Sequence, residues 1–130
     1  MTYRRQLLAA LTVDGWELVQ TESQHCEWWF DECWVIRSVR EAYGKELFIF
    51  FLVDPQWEGP RKPGQGVREV AATESTPRDR LEAGRSVATL QMWKGRWDLK
   101  LATFISALAA HRRETTNPKE PSDGEAMAPN

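Results

Sequence analysis

Residues 27–53 read EWWFDECWVIRSVREAYGKELFIFFLV, and this stretch decides the fold class. In residues 27–40, large apolar side chains stand at even positions, whereas the odd positions mix apolar and polar side chains. The even-numbered apolar residues are Trp28, Phe30, Trp34 and Ile36. Such alternation is typical of an antiparallel strand with one buried face. Residues 47–53 are apolar at every position, which predicts a central strand covered on both faces.

Three further segments favour strands around this pair. Residues 16–22 and 67–73 show a weaker alternation, and residues 86–92 favour a fifth strand. The segment between the third and fourth strands, residues 54–66, contains three prolines and three glycines, which exclude regular structure there. Loops of this length inside a compact domain are uncommon and are often functional.

Helices are expected on both sides of these strands in the sequence. Residues 3–12 carry apolar side chains at four-residue spacing, and Asp14-Gly15 supplies a stop. A second long helix is expected after Gly95, and it runs to about Arg113. Its apolar stripe comprises Trp97, Leu101, Phe104, Ile105 and Leu108.

Residues 76–84 predict a short helix, since Thr76 suits the N-cap and Pro77 suits the first turn. The chain is therefore expected to adopt an α+β fold, in which an antiparallel sheet of four to five strands packs against N- and C-terminal helices. The predicted order is α-β-β-β-β-(short α)-β-α. One domain is expected over residues 1–113. Residues 114–130 contain almost no large apolar side chains and are expected to form a disordered acidic tail.

The charge distribution makes nucleic acid an unfavoured partner. Residues 1–113 carry 16 basic and 15 acidic side chains, and residues 114–130 carry one and four. A nucleic-acid binder shows a strong basic excess over its domain. The apolar stretch at 7–11 is too short for a membrane span, so no membrane association is expected. Cys26 and Cys33 would lie too far apart on one strand to form a disulfide, which favours free thiols and a cytoplasmic location.

The sequence lacks familiar catalytic signatures. It contains two histidines, His25 and His111, and no nucleophile elbow, zinc-protease or phosphate-binding motif. His25, Cys26 and Cys33 offer metal-ligand chemistry, but a strand directs the two cysteines to opposite faces. Ordinary buried or solvated side chains are therefore the preferred interpretation. No catalytic residue, metal or cofactor is predicted, and an enzyme is the less favoured class.

Aromatic and basic side chains supply the candidate binding residues. Four of the seven tryptophans are accounted for by core packing: Trp16, Trp28, Trp34 and Trp97. Trp29 is expected on the opposite sheet face together with Arg37. Trp57 lies in the long loop with Arg61 and Lys62. These five side chains are the candidate contacts for a ligand or a partner, although core packing and surface ion pairs are the simpler interpretation of most of them.

The order of elements is similar, at the level of the fold only, to double-stranded-RNA-binding domains and to secretion-chaperone-like proteins. The last helix opens with Gly95-Arg96-Trp97-Asp98 and lacks the dense lysine cluster that would contact RNA phosphates. The resemblance to secretion chaperones implies a small, acidic, dimeric protein that binds extended segments along a sheet.

Two functional hypotheses remain open. The first is a non-enzymatic binding, adaptor or chaperone-like module that acts through an aromatic sheet face, with a protein partner or a second copy. The alternative is a small-molecule-binding protein or enzyme with a pocket under the 54–66 loop, lined by Trp29, Trp57, Arg61 and Lys62. The excess of aromatic residues and the lack of catalytic motifs favour the first hypothesis.

Overall fold

A computed structural model describes residues 2–23, 29–40, 46–75, 86–93 and 95–116 of the chain. The elements in order are α1 (Tyr3–Val13), β1 (Trp16–Ser23), β2 (Phe30–Ser38), β3 (Glu46–Val53), β4 (Val67–Thr73), β5 (Ala88–Gln91) and α2 (Trp97–Thr116). The short helix predicted over 76–84, the turn at 41–45 and residues 117–130 lie outside the described residues. Helix α2 continues to Thr116, beyond the predicted end near Arg113.

The five strands form one sheet in the order β1-β2-β3-β4-β5, and every neighbouring pair is antiparallel. Each strand therefore pairs with the strand that precedes or follows it in the sequence. The predicted α+β architecture, with helices at the two ends of the chain packed on an antiparallel sheet, is confirmed. No helix in the described ranges is long and apolar enough to cross a membrane.

The main core lies between one face of the sheet and the two helices. Helix α1 contributes Leu7 and Leu11, and helix α2 contributes Phe104 and Leu108, all of them buried. The sheet contributes Trp16, Trp34, Ile36, Leu47, Ile49, Phe51, Val70, Ala72 and Leu90. The helical stripes predicted from four-residue spacing are therefore the surfaces that meet the sheet. Burial of these apolar side chains is the main term that stabilises the fold.

A second, smaller apolar cluster occupies the opposite face of the sheet. Its buried members are Trp29, Cys33, Phe50, Leu52 and Ala71. Strand β3 supplies side chains to both clusters, because successive residues of a strand point to opposite faces. This arrangement confirms the prediction that β3 is covered on both sides.

A β-bulge changes which side chains share a face. The register of β2 against β3 shifts between Phe30 and Glu32. As a result, Phe30 packs with Trp29 and Phe50 in the second cluster. The prediction that Phe30 shares a face with Trp34 is therefore wrong, because an inserted residue in a bulge interrupts the two-residue alternation.

The two helices run in the same direction across the sheet. At their N-terminal ends, the ring of Tyr3 stacks on that of Trp97 with a centroid separation of 4.4 Å. At the other end, Arg112 of α2 donates from Nη1 to the carbonyl oxygen of Asp14, which follows α1 (3.1 Å). Gly15, at φ 86°, ends α1 and turns the chain into β1, as the Asp14-Gly15 pair predicts.

Candidate functional site

The 54–66 loop is fastened to the sheet through the carboxylate of Asp31 on β2. Asp31 accepts hydrogen bonds from Arg61 Nη1 (2.5 Å), from the backbone N–H of Gly64 (3.0 Å) and from Arg4 Nη2 of α1 (2.6 Å). Burial by itself would raise the pKa of Asp31, but these donors favour the charged form and hold the pKa below its ordinary value of 3.8. One carboxylate therefore joins a helix, a strand and the loop.

The same arginine of α1 also reaches the neighbouring acid. Arg4 forms an ion pair with Glu32, and its guanidinium group lies 4.4 Å from the centre of the Phe51 ring. Glu32 also accepts a hydrogen bond from Nε1 of Trp34 at 2.8 Å. The acids at 31 and 32 are thus satisfied by internal donors, and this cluster organises the structure.

The interior of the loop is filled by its own side chains. A Cβ atom added at Gly66, which has φ 81°, would lie 3.1 Å from Cε3 of Trp57 and 3.3 Å from Cδ of Arg61. Nε1 of Trp57 is buried and has no hydrogen-bond partner within the described part of the chain. The loop therefore packs on Trp57 and Arg61, where the alternative hypothesis places a pocket.

The structure separates the five predicted site residues. Trp57 and Arg61 meet at Gly66, whereas Trp29 is 3% exposed in the second apolar cluster. Lys62 is exposed, and its backbone N–H donates to Oε1 of Gln65. Arg37 is exposed on β2, and its Nη2 donates to Oε1 of Glu17 at 3.1 Å.

A cavity of about 310 Å³ lies on the outer side of the loop, at its beginning. Its lining comprises Asp54, Pro55, Gln56, Arg68, Glu69, Gln91 and Trp93. The guanidinium group of Arg68 lies 5.3 Å from the centre of the Trp93 ring, and Arg68 Nε is 3.4 Å from Oδ2 of Asp54. Nε1 of Trp93 donates to Gln91, so several of the polar groups in this cavity bind one another.

The outer edge of β5 presents backbone groups that the sheet does not use. The backbone N–H of Met92 donates to the carbonyl oxygen of Arg68 at 3.0 Å, which shows that this residue faces β4. In an antiparallel pair the direction of the N–H and C=O groups alternates along each strand. Thr89 and Gln91 therefore direct their N–H and C=O groups away from β4, and both residues are exposed.

A groove of about 340 Å³ runs between this edge and helix α2. It is lined by Thr89, Leu90, Gln91, Arg96, Leu99, Lys100 and Thr103. Leu99 is 60% exposed. The two charged residues of the lining, Arg96 and Lys100, are both basic. Nζ of Lys100 donates to the carbonyl oxygen of Trp93 at 2.5 Å, while the side chain of Arg96 makes no hydrogen bond or ion pair with another described residue.

Arg96 adopts a backbone conformation that is uncommon for arginine. Its φ is 57°, in the left-handed region, and it follows Gly95 at φ 75°. Its carbonyl oxygen accepts the first hydrogen bond of α2, from the N–H of Lys100 (2.9 Å). A positive charge at a helix N-terminus opposes the helix dipole, and Ser, Asp or Asn are preferred there. Arg96 is therefore not explained by the stability of the helix.

Among the described residues, which do not include His25 and Cys26, the groups that could perform catalysis do not assemble into a site. Burial raises the pKa of Cys33 to about 12, and the charge of Glu22 adds to this effect, so the thiol is a poor nucleophile. Nε2 of His111 lies 2.8 Å from Oε2 of Glu74. Across the described ranges, no group of three or more His, Cys, Asp or Glu side chains could hold a metal ion.

Comparisons with protein-family models, with curated proteins and with solved structures each found no match. The groove beside β5 was not among the sequence-based candidates. Its strand was predicted over 86–92, but which of its backbone groups face away from the sheet depends on its register with β4, which the sequence does not indicate. The presence of Arg96 at a helix start was the one signal that the sequence offered.

Proposed function

We propose that this chain is a non-enzymatic peptide-binding module that takes an extended segment of a protein partner as an added strand at β5. The observation that carries this proposal is the outward direction of the N–H and C=O groups of Thr89 and Gln91 beside a groove. Strand addition uses main-chain hydrogen bonds for affinity and side-chain pockets for specificity. The edge of β5 offers the main-chain groups for such bonds, and the groove between β5 and α2 offers a pocket for side chains.

The charge of the groove favours an acidic segment. Arg96 and Lys100 stand on the helical side of the groove, whose lining contains no acid. Leu99, which is 60% exposed, offers apolar contact beside them. In an added strand every second side chain would face α2, so a segment with acidic residues at alternate positions would direct them toward Arg96 and Lys100.

This proposal agrees with the favoured hypothesis of a non-enzymatic binding module, but it assigns binding to the β5 edge and not to the aromatic sheet face. The aromatic sheet face was expected to bind the partner, but its central side chains, Trp29, Cys33 and Phe50, are buried. A buried cluster offers little area to a partner. At the sheet edge, in contrast, Thr89 and Gln91 are exposed residues whose N–H and C=O groups face away from β4, so we propose the binding surface there.

The small-molecule alternative has one observation in its favour, the cavity of about 310 Å³ beside Asp54, Pro55 and Gln56. That volume is at the small end of ligand sites. Because Arg68, Trp93 and several other lining groups already bind one another, a ligand there would have to displace existing contacts. We therefore rank this function second.

The proposal is tested with two fluorescently labelled synthetic peptides, one alternating valine with glutamate and the other alternating valine with lysine. We expect the glutamate peptide to bind and the lysine peptide to bind at least about 10-fold more weakly. Fluorescence anisotropy measures both affinities. In amide hydrogen exchange, the bound glutamate peptide should slow exchange at Thr89 and Gln91, the outward-facing residues.

Thr89→Pro and Thr89→Val form a matched pair of variants. Proline removes the outward N–H at this edge position without removing a bond to β4. Loss of that bond should weaken the glutamate peptide by about 10-fold, whereas Thr89→Val should bind it almost as well as the natural chain. Equal binding by the two variants, or unchanged exchange at Thr89 and Gln91, would rule out strand addition at β5.

Arg96→Asn separates binding from folding. Asparagine tolerates the left-handed conformation better than arginine does and removes the charge at the helix start. We expect the melting temperature to stay level or rise while the affinity for the glutamate peptide falls by several-fold. An unchanged affinity would remove Arg96 from the proposed site.

A further inference from the structure

The outer surface of the two helices contains a groove that is separate from β5. It lies between the C-terminal half of α1 and the N-terminal half of α2, and its volume is about 660 Å³. Its apolar lining comprises Ala9, Ala10, Val13, Leu101, Ala102 and Ile105. Val13 is 76% exposed. The small side chains on both helices leave room for a large side chain of another molecule.

The two ends of this groove carry opposite charges. Asp98 lines it in the first turn of α2, and Arg40 lines it beside the end of α1. Because α1 and α2 run in the same direction, these two residues stand at opposite ends of the groove. Nη2 of Arg40 donates to the carbonyl oxygen of Val13 at 2.7 Å, and neither charge forms an ion pair with another described residue.

A third charged residue, Asp14, shares the end of the groove with Arg40. Its carboxylate accepts hydrogen bonds from Nε1 of Trp16 (3.1 Å) and from Nη2 of Arg112 (3.3 Å). Asp14 is therefore compensated within the chain. Within the described part of the chain, the groove charges that lack a counter-ion are therefore Asp98 at one end and Arg40 at the other.

We propose that this groove is the contact between two copies of the chain, related by a two-fold axis. In such an interface the same surface contacts itself, so residue i of one copy meets residue j of the other, and j meets i. Antiparallel packing of the helix pairs would place Asp98 of each copy against Arg40 of the other. It would also place each exposed Val13 against the apolar lining of the opposite groove. A surface with like charges at both ends could not match itself in this way.

Sedimentation velocity of the full chain, from about 1 to about 200 μM, tests the association. We expect a concentration-dependent dimer. Ala102→Glu, on the exposed side of α2, should shift the equilibrium to the monomer by at least about 10-fold, because it introduces a charge into the apolar lining. A strictly monomeric natural chain over this range would overturn the proposal.

Charge reversal tests the proposed pairing itself. D98R and R40D should each be monomeric at concentrations where the natural chain is dimeric, because each creates two like-charge contacts. An equimolar mixture of the two variants should regain a dimer. In the mixed dimer, both contacts again join an arginine to an aspartate.

Circular dichroism verifies that the variants are folded. If R40D is unfolded because the hydrogen bond from Arg40 to Val13 is lost, R40Q replaces it, and D98R should then associate with R40Q more tightly than with itself. A dimer that survives D98R and Ala102→Glu would show that another surface mediates association. Binding of the glutamate peptide at β5 is an independent measurement, and both variants should retain it.

Discussion

Two charged residues of the fold are almost removed from solvent, and each connects elements that are distant in the sequence. Arg112 is 2% exposed, and its guanidinium group lies 4.7 Å from the centre of the Trp16 ring. It bonds to Asp14 and to Ser38, so it joins α2 to the end of α1 and to β2. Asp31 has the equivalent role at the other end of β2. Buried charges of this kind are costly unless they are paired.

The charge of Asp31 makes stability depend on pH. The pKa of Asp31 in the folded protein lies below its ordinary value of 3.8, so its stabilising contribution is fully present above that pH. The contribution is lost as the pH falls through the folded-state pKa. We expect Asp31→Asn to lower the free energy of unfolding at pH 7 by about 2 to 3 kcal/mol. The variant should also lose less stability than the natural chain between about pH 5 and pH 2.

Urea unfolding at several pH values measures both effects. Glu17→Gln is a suitable control, because Glu17 forms an exposed pair with Arg37, and such pairs contribute less than about 1 kcal/mol. If the free energy of unfolding depends on pH in the same way in Asp31→Asn and in the natural chain, the ionisation of Asp31 does not cause the loss of stability in acid.

At the scale of the elements, most of the secondary structure could be predicted from periodicity. The prediction 67–73 matches β4, and 16–22 and 47–53 match β1 and β3 to within a residue. The bulges could not be predicted, because one inserted residue leaves no compositional trace yet changes the face of every residue beyond it. This is why Phe30 was placed on the wrong face.

For the candidate site, the sequence could indicate some residue types but not which residues contact one another. Trp57 and Arg61 were candidates by residue type, but the ion pair between Arg61 and Asp31 joins residues that are distant in the sequence. Residue type alone does not reveal such a partner. The edge position of β5 likewise depends on strand order, which alternation does not specify. The sequence therefore favoured the hypothesis of a binding protein but did not indicate the surface at β5 that we propose.

Two glycines of the 54–66 loop allow a prediction with a matched control. Gly66 and Gly59 both have positive φ, at 81° and 84°, but only a Cβ at Gly66 would meet other atoms within 4 Å. Gly59→Ala should cost about 1 to 2 kcal/mol from backbone strain alone. Gly66→Ala should cost more, because Trp57 and Arg61 would have to move.

Urea midpoints compare the two alanine variants directly. Equal destabilisation would mean that the packing of Trp57 and Arg61 on Gly66 contributes nothing measurable to stability. A larger loss in Gly66→Ala would show that the loop is held by this packing.

At the scale of the whole molecule, the sheet has an apolar cluster on each face, and β3 joins them. Phe50 belongs to the second cluster and Phe51 to the main core, although they are neighbours in the sequence. We expect Phe50→Leu and Phe51→Leu each to lower the free energy of unfolding by about 1 to 2 kcal/mol. Because one strand carries both residues, unfolding should remain a single transition in both variants.

Tryptophan fluorescence and far-ultraviolet circular dichroism follow this transition in urea, and their midpoints should coincide. A fluorescence change that precedes the loss of secondary structure in Phe50→Leu would show that the second cluster melts separately from the main core.

The parallel placement of α1 and α2 also bears on how the chain assembles as it is synthesised. Each strand of the sheet pairs with its neighbour in the sequence, so every new strand meets a partner that has already emerged. Helix α1 precedes the strands in the sequence, yet the helix that lies beside it follows all of them. Trp97 and Arg112, which hold the two ends of α1, therefore arrive after the sheet. The main core is therefore complete only when Phe104 and Leu108 of α2 dock on a sheet that is already paired.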